Sequence, residues 1–161
     1  APDARVELID GEILDMPPIG APHASVVTLL QTRLIKAVGD IAIVRGQNPV
    51  RLDRYNEPEP DIALVRPRTG QYRDRHPGPE DILLLIEVAG TSLRYDRDLK
   101  IPLYARFGIP EVWLLDLATQ TLTRFGQPDD AGYARVERVD APERLPVPGT
   151  GGVSVDLTDL F

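Results

Sequence analysis

The run ILLLIEV, residues 82–88, restricts the fold more than any other stretch of the chain. An apolar run this long without alternation reads as a strand covered on both faces, since a half-exposed strand would carry a polar residue at every second position. Its sixth residue is Glu87. An unpaired buried carboxylate costs far more than a paired or hydrogen-bonded one, so a cation or a basic side chain must meet it there.

A strand covered on both faces needs helices, and the sequence supplies two. PHASVVTLLQTRLIKAVG, 22–39, places Val26, Leu30, Leu34 and Val38 at helical spacing, with Pro22 suited to the first turn and Gly39 to the end. LRYDRDLKIPLYARFG, 93–108, reads as a helix ended by Gly108, in which Pro102 either makes a kink or opens the second half. RVELIDGEILDM alternates around Asp10-Gly11, a pair suited to a tight turn, and predicts an N-terminal β-hairpin. IAIVRG and NPVRL are expected to pair with each other. Further strands are expected from Asp61 to Arg66, over PEVWLLDL with TLTRFG, over AGYARVERV and, briefly, over GGVSVDL. Together these elements predict a single α/β domain over residues 1–161, built on a mixed central sheet with helices on its faces.

Two carboxylates stand at matching places on two buried strands: Asp61 opens one and Glu87 nearly closes the other. If the strands are antiparallel neighbours, both side chains can reach one ion. The chain has no cysteine, so any metal must be held by oxygen or imidazole, and a pair of carboxylates suits Mg²⁺ or Mn²⁺. On the following helix Asp96, Lys100 and Tyr104 are spaced by four and share a face. If that helix packs over the end of the central strand, Lys100 points toward Glu87. An ammonium there could orient an attacking water and balance the charge that develops on a phosphodiester.

The order Pro60-Asp61, Glu87-Val88, Asp96-Arg97-x-x-Lys100 and Tyr104-Ala105-x-x-Gly108-Ile109-Pro110-Glu111-x-Trp113 resembles the Uma-two family of restriction-endonuclease-like proteins, within the PD-(D/E)XK nuclease superfamily. Glu7-Leu8-Ile9-Asp10-Gly11-Glu12 and His23 extend the likeness, which runs from about Arg5 to Tyr133. The resemblance implies a restriction-endonuclease-like fold and an endonuclease that hydrolyses DNA with a divalent metal. It further implies that Asp61 and Glu87 are metal ligands, with the Val88 carbonyl as a third. The superfamily places its lysine two positions after the glutamate, where this chain has Ala89, and the Uma-two pattern moves that role to Lys100.

Each residue also has a plainer reading. Asp61 beside a proline can cap a loop. Glu87 can be satisfied by Arg94 or Lys100 without any metal, and Lys100 can form an exposed pair with Asp96. His23 reads as a core or capping histidine, Tyr104 as packing, and Asp116 as a turn residue. With Ala89 in the lysine position, a catalytically silent module that binds nucleic acid or a protein is the competing class, and a hydrolase of smaller phosphodiesters is a third.

The net charge of −7 opposes a nucleic-acid partner at first sight. Residues 1–20 and 127–161 contribute −4 each, which leaves the middle of the chain at +1. That leaves room for a local basic surface. The connection RPRTGQYRDRHPGPED, 66–81, is too polar and too rich in Pro and Gly for an element of its own. Its Arg66, Arg68, Arg73 and Arg75, with Tyr72 as a stacking ring, are expected to contact phosphates beside the site, because the loop joins the two strands that carry the carboxylates. Without a bilayer-length apolar stretch or a signal peptide the chain is expected in the cytoplasm. A homodimer would help in cutting both strands of a duplex.

Overall fold

The structure is a computed structural model that describes residues 4–161. Its centre is a six-stranded sheet in the order β3 (Ile43–Gly46), β4 (Ile62–Val65), β5 (Ile82–Ala89), β6 (Glu111–Asp116), β7 (Thr121–Asp129) and β8 (Gly132–Asp140). Only β5 and β6 run parallel, so the sheet is mixed. All eight residues of β5 are buried.

Strand alternation sorts the core into two layers. Leu84, Ile86 and Val88 point with Ile62 and Leu64 toward α1 (Ala21–Val38), which brings Val26, Val27, Leu30, Leu34 and Val38. Leu85 and Ala89 point with Ala63 and Val65 to the opposite face. A second helical rod over 93–106 covers that face with Ile101, Leu103 and Tyr104. It comprises α2 (Leu93–Tyr95), a π-helical turn (Asp96–Lys100) and α3 (Ile101–Arg106). Pro102 stands in the first turn of α3, where its missing N–H costs nothing extra, and Gly108 at φ 70° turns the chain out.

The N-terminal hairpin forms as β1 (Val6–Ile9) and β2 (Glu12–Asp15), turned at Asp10 and Gly11 with φ 49° and 82°. Near the other terminus β9 (Arg144–Pro146) and β10 (Ser154–Asp156) make a separate two-stranded ribbon. Among the described residues, no helix is long and apolar enough to cross a membrane.

One expected pairing does not form. IAIVRG does not pair with NPVRL; instead β3 pairs with β4, Ile43 opposite Val65 and Gly46 opposite Ile62. The fully buried β4 needs partners on both edges for its backbone groups, and the proline of NPVRL cannot donate to a ladder. The 49–52 stretch is held irregularly by Val50 N–H to the Pro58 carbonyl and Leu52 N–H to the Asn56 carbonyl.

Candidate active site

The antiparallel register of β4 and β5 puts Ile62 opposite Ile86, so Asp61, one residue before β4, lies level with the Glu87–Val88 peptide. The Val88 N–H donates to Asp61 Oδ2 at 2.8 Å, and His23 Nε2, from the first turn of α1, lies 3.1 Å from Asp61 Oδ1. Glu87 shares the parity of Leu85 and Ala89 and therefore faces the 93–106 rod. There Lys100 Nζ lies 2.8 Å from Glu87 Oε1, and the Tyr104 hydroxyl donates to the same oxygen at 2.5 Å. The plainer readings of two residues are thereby corrected. Tyr104 is buried but also fixes the carboxylate. Lys100 is not an exposed partner of Asp96: it is 2% exposed and points into the sheet.

The π turn explains why both Asp96 and Lys100 are buried. The Ile101 N–H bonds five residues back to the Asp96 carbonyl, which widens the turn and swings side chains inward that an α-helix would spread around its surface. Asp96 then accepts a hydrogen bond from Ser92 Oγ at 2.7 Å rather than pairing with Lys100.

A further acid completes the cluster. Glu7, on β1, is 4% exposed; its Oε2 lies 3.3 Å from Lys100 Nζ, and its Oε1 accepts from the Tyr95 hydroxyl at 2.7 Å. Sequence reasoning placed Glu7 only in the opening pattern of the family resemblance and gave it no role. The structure reverses ordinary patterning here, with Glu7 buried and its neighbour Val6 42% exposed, and the sequence carries no local signal of that reversal.

Four carboxylates, those of Glu7, Asp61, Glu87 and Asp96, thus gather about one ammonium and one imidazole. Burial lifts the Glu87 carboxyl well above the usual range; Lys100 opposes the rise, and Asp96 and Asp61 add to it. Burial likewise pushes Asp96 up to about 6, against the pull of Lys100. For Lys100, burial works against the charge, but Glu87, Glu7 and Asp96 outweigh it and hold the ammonium above its ordinary value. His23 is raised by its hydrogen bond to Asp61, less what burial takes away. The cluster therefore gathers four acids about two bases, and the raised carboxyls answer the crowding by holding protons more tightly.

These side chains floor a cavity of about 550 Å³. Its lining also includes Met16 to Gly20, Gly90 to Ser92, Leu117 and Ala118. The arginine loop does not border it, contrary to expectation. A loop joining antiparallel neighbours connects the ends opposite those that bear Asp61 and Glu87; the Arg66 N–H bonds to the Asp81 carbonyl at that far end. From Ile82 to Glu87 the strand runs about 17 Å. Within the loop Arg68 pairs with Asp74, and Arg75 with Asp81 at 2.6 Å. Tyr72 is only 6% exposed and donates to the Arg66 carbonyl, with Arg45, Arg68 and Arg75 over its ring, so it offers no free stacking face. Arg66 and Arg73 remain exposed. Asp116 accepts from the Ala118 N–H at 2.9 Å and serves its turn as expected.

The sequence pattern of the Uma2 (Uma-two) family, described as "Putative restriction endonuclease", matches residues 1–158. The chain belongs to the Uma2 family. Among solved structures, that described as "a putative nuclease belonging to DUF820" from Anabaena variabilis ATCC 29413 superposes with a TM-score of 0.75. It is 19% identical, with 99% of this chain and 90% of that one covered. At that identity the likeness shows the fold, which is that of a nuclease-like α/β protein. No curated protein matches the chain. In this Uma2 chain Asp61 and Glu87 stand at neighbouring strand ends, with Lys100 brought to Glu87 by the helical rod.

Proposed function

We propose that this Uma2 protein is a divalent-metal-dependent endonuclease that hydrolyses DNA phosphodiester bonds on the floor of its cavity. The observation that carries the reading is Lys100. The strand position two residues after Glu87 is Ala89, yet a buried ammonium stands 2.8 Å from Glu87 all the same, brought there by the π turn.

The donor set fits the implied ion. Among the described residues no three His, Cys, Asp or Glu side chains form a ready-made cage. Mg²⁺, however, is commonly bound through one or two carboxylates with water and substrate oxygens completing its shell. Asp61 and Glu87, with the Val88 carbonyl beside them, would hold it, and the surplus of buried acid supplies the charge that it would neutralise. A bound Mg²⁺ or Mn²⁺ would supply Lewis acidity toward the phosphate and lower the pKa of water.

The protein's own groups do the rest. Lys100 stays charged through Glu87 and Glu7, so it can bind a non-bridging phosphate oxygen as charge builds there. The Tyr104 hydroxyl holds the Glu87 carboxylate in one rotamer. Water attacks phosphorus, the P–O bond to the leaving oxygen breaks, and that oxygen takes up a proton. Arg66, Arg68, Arg73 and Arg75 would meet DNA only at phosphates remote from the cut.

Purified protein with Mg²⁺ or Mn²⁺ is expected to nick supercoiled plasmid, and Asp61→Asn or Glu87→Gln to abolish nicking without unfolding the chain. Equal nicking by the variants would refute the assignment. The silent-module reading has one observation in its favour: both oxygens of Asp61 already have partners within the protein. Calorimetric titration with Mg²⁺ separates the two, since a silent module would show no binding that depends on Asp61 and Glu87.

A further inference from the structure

We propose that this cavity admits only an unpaired strand, so that the substrate is single-stranded DNA or an unpaired stretch within a duplex. The inference rests on the nuclease reading above and narrows its substrate. Three observations lead to it.

The first is depth. Glu87 and Lys100 are each 2% exposed, and the side chains of Asp61 and His23 are 13% and 19% exposed. A phosphate must enter the cavity lined by residues 16–20 and 117–118 to reach them. In a paired duplex each phosphate is fixed to a stiff rod with a second strand beside it, whereas a single strand bends freely and can dip into a concavity.

The second is charge. A duplex presents about twice the charge per unit length of a single strand, so gripping it takes more Lys and Arg. Among the described residues, the only bases lining this cavity are Arg5, His23 and Lys100. Arg5 is paired with Glu59 at 2.7 Å, His23 lies against Asp61, and Lys100 lies at the bottom. The arginine-rich loop that could have gripped a duplex lies at the other end of the strands.

The third is the chemistry of the rim. Met16, Pro17, Pro18, Ile19, Leu117 and Ala118 all line the cavity, with Ile19 40% exposed. These apolar faces suit the flat face of an unstacked base. The prolines fix their own φ, so the wall is largely preformed and little ordering accompanies binding.

The test uses one fluorescent oligonucleotide free of self-pairing, presented alone, annealed to its full complement, and annealed to a complement that leaves a central unpaired loop. With Mn²⁺, the single strand and the loop should be cut at least about tenfold faster than the full duplex, with cuts in the loop strand inside the loop, and Ile19→Glu should slow both by roughly tenfold. A duplex cut as fast as the single strand overturns the inference and leaves the nuclease reading standing. If nothing is cut, the nuclease reading fails, and fluorescence anisotropy of the same three probes in Ca²⁺ decides the present one. Preferential binding of unpaired DNA, lost in Ile19→Glu, supports it; equal binding or none overturns it.

Discussion

Glu87 on β5 and Glu111 on β6 are buried glutamates on adjacent parallel strands, 2% and 6% exposed, and they are compensated in opposite ways. Glu111 is surrounded by donors: the Trp113 indole N–H at 2.7 Å, Arg124 at 3.0 Å and Arg135 at 2.9 Å. Its environment holds more positive charge than negative until Glu137 joins Arg124. Glu87 shares its one lysine with Glu7, has Asp96 and Asp61 close by, and opens onto a cavity. A carboxylate enclosed by guanidinium groups is part of the scaffold. One left short of positive charge beside open volume is positioned to receive a cation from outside.

Exchanging each acid for its amide should break the comparison most sharply. Glu87→Gln is expected to lower nicking by about two to three orders of magnitude, because it removes one of the two carboxylates that would hold the metal. The same change should leave urea stability level or higher, since it relieves crowding among Glu7, Asp61 and Asp96. Glu111→Gln should do the reverse, costing about 3 kcal/mol in urea unfolding by leaving Arg124 and Arg135 partly unpaired. Activity per folded molecule should persist. If both variants lose stability alike, the two sites do not differ in kind.

Acidity gives the next largest effect. Asp96 is raised from 3.8 to about 6, so the folded protein keeps a proton over a range in which the unfolded chain has released it. That contribution to stability is full below about pH 4 and is lost as pH rises through about 6, a change of about 3 kcal/mol. Glu87, raised as well, acts in the same direction. Mn²⁺ competes with these protons, so the stabilisation it gives should grow across the same window. Asp96→Asn should flatten the metal-free profile. Thermal melts from pH 4 to 7, with and without Mn²⁺, measure both; a metal effect that shrinks as pH rises would contradict the electrostatic account.

The part of the site that rests on nearest-neighbour strand geometry was legible in the sequence. An all-apolar strand broken by Glu87, an earlier one opened by Asp61 and a helical spacing that carried Lys100 allow the three to meet, and the resemblance to the Uma-two family selects that reading over separate ion pairs and caps. Where a chain's ends lie in space was harder to read. Joining two strands by a loop makes the loop seem close to everything they carry, yet antiparallel pairing sends it to the opposite end, and the arginines went with it. The partner of β4 was misjudged for a related reason. Local β-propensity favoured IAIVRG with NPVRL, but the unpaired edge of a buried strand outweighed proximity in sequence. Glu7 escaped because nothing in a four-residue hairpin strand shows which face the hairpin turns to the sheet.

Glu7 also carries the smallest predicted effect. It lies 3.3 Å from Lys100, against 2.8 Å for Glu87, and it accepts from the Tyr95 hydroxyl and from the Glu59 N–H at 3.1 Å. Glu7→Gln keeps an oxygen for one of these donors and leaves Lys100 on Glu87, so the fold should lose no more than about 1 kcal/mol. What changes is the field. One negative charge fewer beside Asp61 and Glu87 should weaken Mg²⁺ binding by roughly three- to tenfold, an effect of one charge at partly screened distance. Calorimetry reads the affinity and a thermal melt reads the fold. If the melt falls steeply while Mg²⁺ affinity holds, Glu7 belongs with Glu111 as scaffold, and the acidic surplus around Glu87 reduces to Asp61 and Asp96.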